Sequence, residues 1–433
     1  MTSATDSIQR PFGMWTATAL VIGGMIGAGI FVQPAQLATF GWTGVIGWLF
    51  AIPGAMLLAL ILSKLTVARP DATGGIAIVG EALGPLTGLL VGWSYWVAVC
   101  SANAILALTA VRYGAEFIPA LTGTPLATAL GATTLLWALT ALNLGGAKGA
   151  GRFQVLTTIL KLLPLVAVVL ILAVLAGTDY SRFSANPHTP FDGSQLTTAL
   201  TLCFFPLVGF EAASLAAERV RNPAHNVLRA TLWGTALTGL FYVVISNGVV
   251  FALPEATVAA SDAPIAMFVE TFWGRGPSLA IAAFASIAAI GCLNGWVLMQ
   301  GEVPLGMARS GLMPAFLART SDRDVPTVAT LLSSLFASLL ILSSALPGID
   351  GALTFMLQLT TASSVWFYLG GCAAAFAFGI VRPLAVVGAA FCLWVLWGSG
   401  MQPLLLSLGL MLTALPLYWL RGNRAAAGVR ISS

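Results

Sequence analysis

The chain has 433 residues, of which 58% are hydrophobic and 8% charged. A soluble domain carries about 25% charged residues, so 19 basic and 15 acidic side chains are too few to coat this one. A soluble globular protein is excluded. The net charge of +4 is spread along the chain rather than clustered, which gives no reason to expect a nucleic-acid partner.

A membrane-spanning helix needs about 20 apolar residues. Read at that length, the chain divides into about twelve spans, near 13–39, 43–66, 86–113, 125–145, 152–176, 195–218, 228–253, 277–306, 325–346, 351–379, 382–400 and 402–420. The runs are continuous, whereas the strands of a membrane barrel are alternating segments of about 10 residues. The expected fold is therefore an all-α integral membrane protein with short connectors. No cleavable signal is expected, because the first apolar run is long and glycine-rich and no small-residue cleavage site follows it.

Span one reads Gly23-Gly24-Met25-Ile26-Gly27-Ala28-Gly29-Ile30-Phe31. Glycine weakens a helix by up to about 1 kcal/mol per residue relative to alanine. Two readings stand. Gly23 and Gly27 form a GxxxG packing pair, or the segment is unwound and its N–H groups meet an anionic group at a half-helix N-terminus. Span five carries Lys161, nine residues after Arg152 and so about 13 Å along a helix, beyond easy reach of the surface. An intramembrane charge marks a pathway or relay, and Lys161 is read as taking the place of a bound cation or as titrating. Span six is interrupted in Phe205-Pro206-Leu207-Val208-Gly209-Phe210-Glu211. Pro206 removes a donor there, and Glu211 puts a carboxyl in an apolar run, either to hold the break together or to gate. Two interrupted spans five apart are what an inverted five-helix repeat produces, with a site at the midplane. Trp296 in span eight and Phe205 in span six read as packing aromatics on composition alone.

Cys100, Cys203, Cys292, Cys372 and Cys392 all lie in apolar runs without a CxxC pair, so they are expected to be buried free thiols. The two histidines, His188 and His225, fall on opposite sides of the predicted topology. No metal, cofactor or catalytic cluster is expected. With the N-terminus inside, fifteen of the 19 basic residues fall on the cytoplasmic side. Arg112, Arg182 and Arg275 fall outside, and Lys161 within a span. Glu116, Asp179, Asp192, Glu255, Asp262, Glu270 and Asp350 also fall outside. The asymmetry predicts both termini in the cytoplasm.

Several motifs together resemble the amino acid–polyamine–organocation superfamily, and within it the basic amino acid/polyamine antiporter branch. They are Gly27-Ala28-Gly29-Ile30-Phe31 with Pro34; Thr73-Gly74-Gly75 before Gly84-Pro85; Gly209-Phe210-Glu211-Ala212-Ala213-Ser214 followed by Arg221-Asn222-Pro223; and Gly295-Trp296 ahead of Ala308-Arg309-Ser310-Gly311-Leu312-Met313-Pro314. The resemblance covers about residues 13–420. It implies a LeuT-type fold with helices 1 and 6 broken. The first five-helix repeat would be 13–176, the inverted second 195–379 and two additional helices 380–420, between a cytoplasmic N-terminus (1–12) and tail (421–433).

Carried over position by position, the resemblance assigns the substrate carboxyl group to Gly27, Ala28 and Gly29. It assigns the amino group to carbonyls at Met25, Phe205 and Val208. Tyr95, Ala98 and Asn103 of span three match the branch, whereas Val99 and Leu106 are changes. Phe205 stands where the branch's arginine/agmatine exchangers have a gating tryptophan, and Trp296 keeps the span-eight aromatic. A span-ten hydroxyl maps to Thr360 or Thr361, with Thr361 taken as the contact. Ala28 replaces a serine, and Ala77 replaces a tyrosine linked to acid activation. Lys161 is absent from those exchangers and resembles light-chain and proton-coupled members.

The implied function is secondary transport by alternating access in the cytoplasmic membrane. Exchange of a cationic amino acid for a related amine or amino acid is preferred. Proton-coupled uptake of a neutral or cationic amino acid is the alternative, with Lys161 and Glu211 as coupling or gating residues. An ion channel is the different-class alternative, and no repeated pore motif supports it. The expected partners are a small amino acid or amine and the lipid bilayer, with protons and a second copy of the chain left open.

Overall fold

The computed structural model describes residues 13–69, 74–145, 162–178, 181, 188–211, 220–322, 325–346 and 351–420. Thr73, Arg152, Lys161, Arg182 and residues 212–219 lie outside the described residues. Each of the predicted spans contains a helix. Span one is α1 (Met14–Met25) and α2 (Ala28–Ala38), bent by 47° at the break between them. Then follow α3 (Trp42–Ala68), α4 (Gly75–Leu83), α5 (Pro85–Gly114), α6 (Pro125–Leu144) and α7 (Leu162–Thr178). Span six begins with α8 (Leu196–Phe204). After it come α9 (Pro223–Ala252), α10 (Glu255–Ala259), α11 (Pro264–Trp273), α12 (Arg275–Arg309) and α13 (Thr327–Ser343). The last spans are α14 (Ala352–Ala377), α15 (Arg382–Gly398), α16 (Met401–Leu412) and α17 (Leu415–Leu420). The chain is a multi-pass helical membrane protein.

Proline opens several of these helices, at Pro85, Pro125, Pro223 and Pro264. Its missing N–H costs nothing where a helix has no intrahelical acceptor. Thr124 adds a side-chain cap to α6, accepting from the Ala127 N–H at 3.0 Å. Burial sorts the spans into centre and rim. The most apolar stretch of α5 is 100% buried, against 28% for α6 and 17% for the stretch through α16 and α17. α5 is thus the central post, with α12 and α14 packed along it. Large apolar side chains left uncovered, among them Leu130, Leu170, Leu240, Leu339, Trp397 and Trp419, are those a bilayer would solvate. α16 is pinned to the centre by two indoles: Trp93 donates to the Leu410 carbonyl at 2.9 Å and Trp366 to the Ser407 hydroxyl at 3.1 Å.

The connectors differ from expectation in two places. α4 lies between spans two and three and packs on α5 and α14. α10 and α11 lie between spans seven and eight and pack on α2, with α11 also against α12. Ile265, Phe268 and Val269 of α11 are buried, while Glu270 is exposed. Such short amphipathic helices fall below spanning length, so a length criterion reads them as loop.

Ion pairs close both ends. At the C-terminal end of α5, Arg112 pairs with Asp262 at 3.1 Å, and Arg275 bridges Glu116 at 2.7 Å and Glu270 at 2.8 Å. At its N-terminal end Arg69 pairs with Glu81 at 2.8 Å and lies over the Phe378 ring at 4.4 Å. The five cysteines are buried and none is in a disulfide.

Candidate functional site

The first break leaves backbone groups outside the helix ladder. The Met25 carbonyl accepts the Tyr242 hydroxyl of α9 at 2.6 Å. No side chain caps the N-terminus of α2 at Gly27, so its first N–H groups face the break without a capping acceptor. In span six, Phe205–Leu207 forms one 3-10 turn containing Pro206, closed by the Val208 N–H on the Phe205 carbonyl at 3.1 Å. The carbonyls of Met25 and Phe205 therefore each have one partner and one lone pair to spare.

Two glycines allow the broken segments to touch. A Cβ on Gly29 would lie 2.5 Å from Pro206 Cβ and 2.9 Å from its Cα. Gly209 has φ +110°, and a Cβ there would lie 2.9 Å from the Gly24 carbonyl oxygen. The span-one and span-six interruptions are one packed unit.

Glu211 fastens that unit to its neighbours. It is 3% exposed. Its Oε1 accepts from the Tyr95 hydroxyl of α5 at 2.6 Å, and its Oε2 accepts from the Tyr368 hydroxyl of α14 and the Gly209 N–H, both at 3.1 Å. Tyr368 also packs on Phe210, ring centroids 4.9 Å apart. A buried carboxyl needs such donors, and here they come from spans three, six and ten.

Between the breaks lies a small cavity of about 40 Å³. Span one lines it with Gly24, Met25, Gly27, Ala28 and Gly29, and span three with Tyr95, Ala98, Val99, Ala102 and Leu106. Span six adds Phe205, Pro206 and Val208, span eight Cys292 and Trp296, and span ten Thr360 and Ser364. Among the described residues, none that lines it is acidic or basic.

Of the residues named from the sequence, Met25, Gly27, Ala28, Gly29, Tyr95, Ala98, Phe205, Val208 and Trp296 come together on this wall. Asn103 and Thr361 are not on it. Asn103 is buried behind, its amide nitrogen donating to Gln300 Oε1 at 2.7 Å and to the Trp296 carbonyl at 3.3 Å. Gln300 in turn donates to Ser334 Oγ of α13 at 2.7 Å. Asn103 therefore holds the backbone of span eight where Trp296 projects. The Thr361 hydroxyl donates to the Leu357 carbonyl at 2.9 Å, and it is Thr360 that lines the cavity. Adjacent helix positions differ by about 100°, so an alignment one residue out picks the wrong face. Cys292 and Ser364 were not anticipated. Each sits one turn from an anticipated residue, Trp296 and Thr360, and the i, i+4 rule identifies both.

The described wall offers a ligand backbone N–H and carbonyl dipoles, aromatic faces and a few hydroxyls. A small zwitterion or cation suits such a wall through dipoles and ring faces.

Residues 12–416 match the family described as Amino acid permease. The chain is 29% identical over 333 residues to a cadaverine/lysine antiporter of Escherichia coli K12, covering 76% of this chain and 73% of the relative. It is 26% identical over 362 residues to a putrescine transporter of Haemophilus influenzae, covering 83% of each. It is 25% identical over 408 residues to a putrescine transporter of Escherichia coli K12, covering 92% of this chain and 93% of the relative.

Proposed function

The chain belongs to the amino acid permease family, and on that premise we propose that it exchanges a cationic amino acid for the corresponding amine or a related amino acid. The observation that carries this reading is the cavity between the two broken spans, bounded by Phe205 and Trp296 and, among the described residues, lined by no charged side chain. A lysine-like ligand would lay its carboxylate against the uncapped N–H groups at Gly27–Gly29 and its side-chain cation over the aromatic faces. The decarboxylated amine keeps the second contact and gives up the first, so one cavity accepts both. The cadaverine/lysine relative is, by its name, an antiporter for such a pair.

The reading places the protein in the cytoplasmic membrane with both termini inside, 13–176 and 195–379 acting as two inverted repeats. Proton-coupled uptake is the second reading, favoured by Glu211, a buried carboxyl joined to three spans.

Proteoliposomes separate the two. Vesicles loaded with unlabelled lysine are expected to accumulate labelled lysine, arginine or cadaverine without a pH gradient, and empty vesicles are not. Accumulation that needs a pH gradient and ignores internal substrate would replace exchange by proton-coupled uptake. Uptake of none of these ligands under either condition would remove the cationic-substrate reading.

A further inference from the structure

One face of α14 carries three hydroxyl residues at helical spacing, Thr360, Ser364 and Tyr368, of which the first two line the cavity. Two are satisfied. The Thr360 hydroxyl donates to the Met356 carbonyl at 2.7 Å, and the Tyr368 hydroxyl donates to Glu211 at 3.1 Å. Ser364 lies between them, 1% exposed, and its hydroxyl has no hydrogen-bond partner among the described residues. A helical serine ordinarily bonds back to the carbonyl four residues earlier, as Thr360 and Thr361 do on this same helix. Ser364 makes no such bond. Among the described residues, the buried side-chain polar atoms without a partner also include those of Ser63, Ser101, Ser246 and Ser363, and Ser364 alone of the whole set belongs to the cavity wall.

A buried hydroxyl left unpaired is costly, and alanine would avoid the cost. Its retention on a cavity wall is explained if a ligand completes it. We infer that Ser364 is a substrate-contact residue whose hydroxyl oxygen accepts a hydrogen bond from an ammonium group of the bound amino acid or amine. This deepens the exchange reading and rests on it. The choice of ammonium over carboxylate follows from the surroundings. Tyr368, one turn and about 6 Å further along the helix, binds the Glu211 carboxyl. Among the described residues, no basic side chain lines the cavity to draw a carboxylate to this end. An ammonium is common to lysine and cadaverine, so the contact serves both directions of exchange.

The test compares Ser364→Ala with Ser363→Ala in purified protein, using equilibrium binding of lysine and of cadaverine and the melting temperature without ligand. Ser363 also has an unpaired hydroxyl but does not line the cavity, so it controls for effects of hydroxyl removal alone. Loss of one charge-assisted hydrogen bond is expected to weaken both ligands about tenfold in Ser364→Ala. Its melting temperature should be unchanged or higher, and Ser363→Ala should bind as the parent does. Unchanged affinity in Ser364→Ala, or an equal loss in Ser363→Ala, overturns the inference. A loss for lysine alone overturns the ammonium assignment, because it puts the hydroxyl on the carboxyl end. If the unsubstituted protein binds neither ligand, the exchange reading falls first and takes the inference with it.

Discussion

Trp296 is held from behind, and this matters for how its ring can act. Asn103 donates to its carbonyl and to Gln300, so the backbone under the indole is braced from span three. A braced ring facing a cavity with no carboxylate among its described lining residues is a suitable partner for a cation. Trp296→Leu is expected to weaken lysine or cadaverine by about 0.5–2 kcal/mol, or about 2- to 30-fold. A small neutral amino acid should lose much less. Binding titrations with the three ligands check this, and equal losses for all three would reduce Trp296 to a packing residue. Single residues were legible in the sequence where a motif fixed their register, as at Gly27-Ala28-Gly29 and Trp296. They were not where the register rested on a gapped alignment, as at Thr361, or where the signal was the absence of a bond, as at Ser364. Lys161 remains a sequence-based expectation.

The broken spans are the elements on which the site is built. Both were legible, the first from its glycine cluster and the second from a proline joined to a glycine and a carboxyl; proline alone does not decide it, because α3 runs through Pro53 and α12 through Pro304. What composition does not contain is their mutual contact. Gly29 against Pro206 and Gly209 against Gly24 are meetings of residues far apart in the chain. Gly29→Ala and Gly209→Ala are each expected to destabilise the protein, Gly209→Ala by about 1–3 kcal/mol because it adds a positive-φ penalty to the clash. The readout is the melting temperature of detergent-purified variants, with Gly276→Ala, at an open position, as the tolerant control. If Gly209→Ala melts like the control, the close packing of the two breaks is not what stabilises them. The connector helices α4 and α11 escaped the sequence reading for a different reason: at 9 and 10 residues they are too short for a periodic pattern to stand out from a loop.

Across the whole molecule, charge marks the two ends. Arg112, Glu116, Asp262, Glu270 and Arg275 pair only with one another among the described residues, and all five were assigned to the outer face by counting Lys and Arg. Arg69 and Glu81 pair at the opposite end. The orientation itself rests on the positive-inside asymmetry. In a background with the five buried cysteines replaced, Gly276→Cys is expected to react with an impermeant thiol reagent in intact cells. Ala315→Cys is expected to react only after the membrane is opened. The reverse pattern would invert the topology.

Glu211 also has a history in time. It follows Tyr95 by 116 residues and precedes Tyr368 by 157. At about 5–20 residues per second of synthesis, the second tyrosine emerges roughly 8–30 s after the carboxyl it will serve. During that interval span six is in the bilayer with its acid only partly satisfied. The nascent protein thus passes through a stage in which quality-control proteases have a reason to engage it. A chain stopped at residue 346, short of α14, is expected to be degraded more slowly in pulse-chase experiments when it carries Glu211→Gln. Equal half-lives would show that the unfinished carboxyl is no burden to the growing chain.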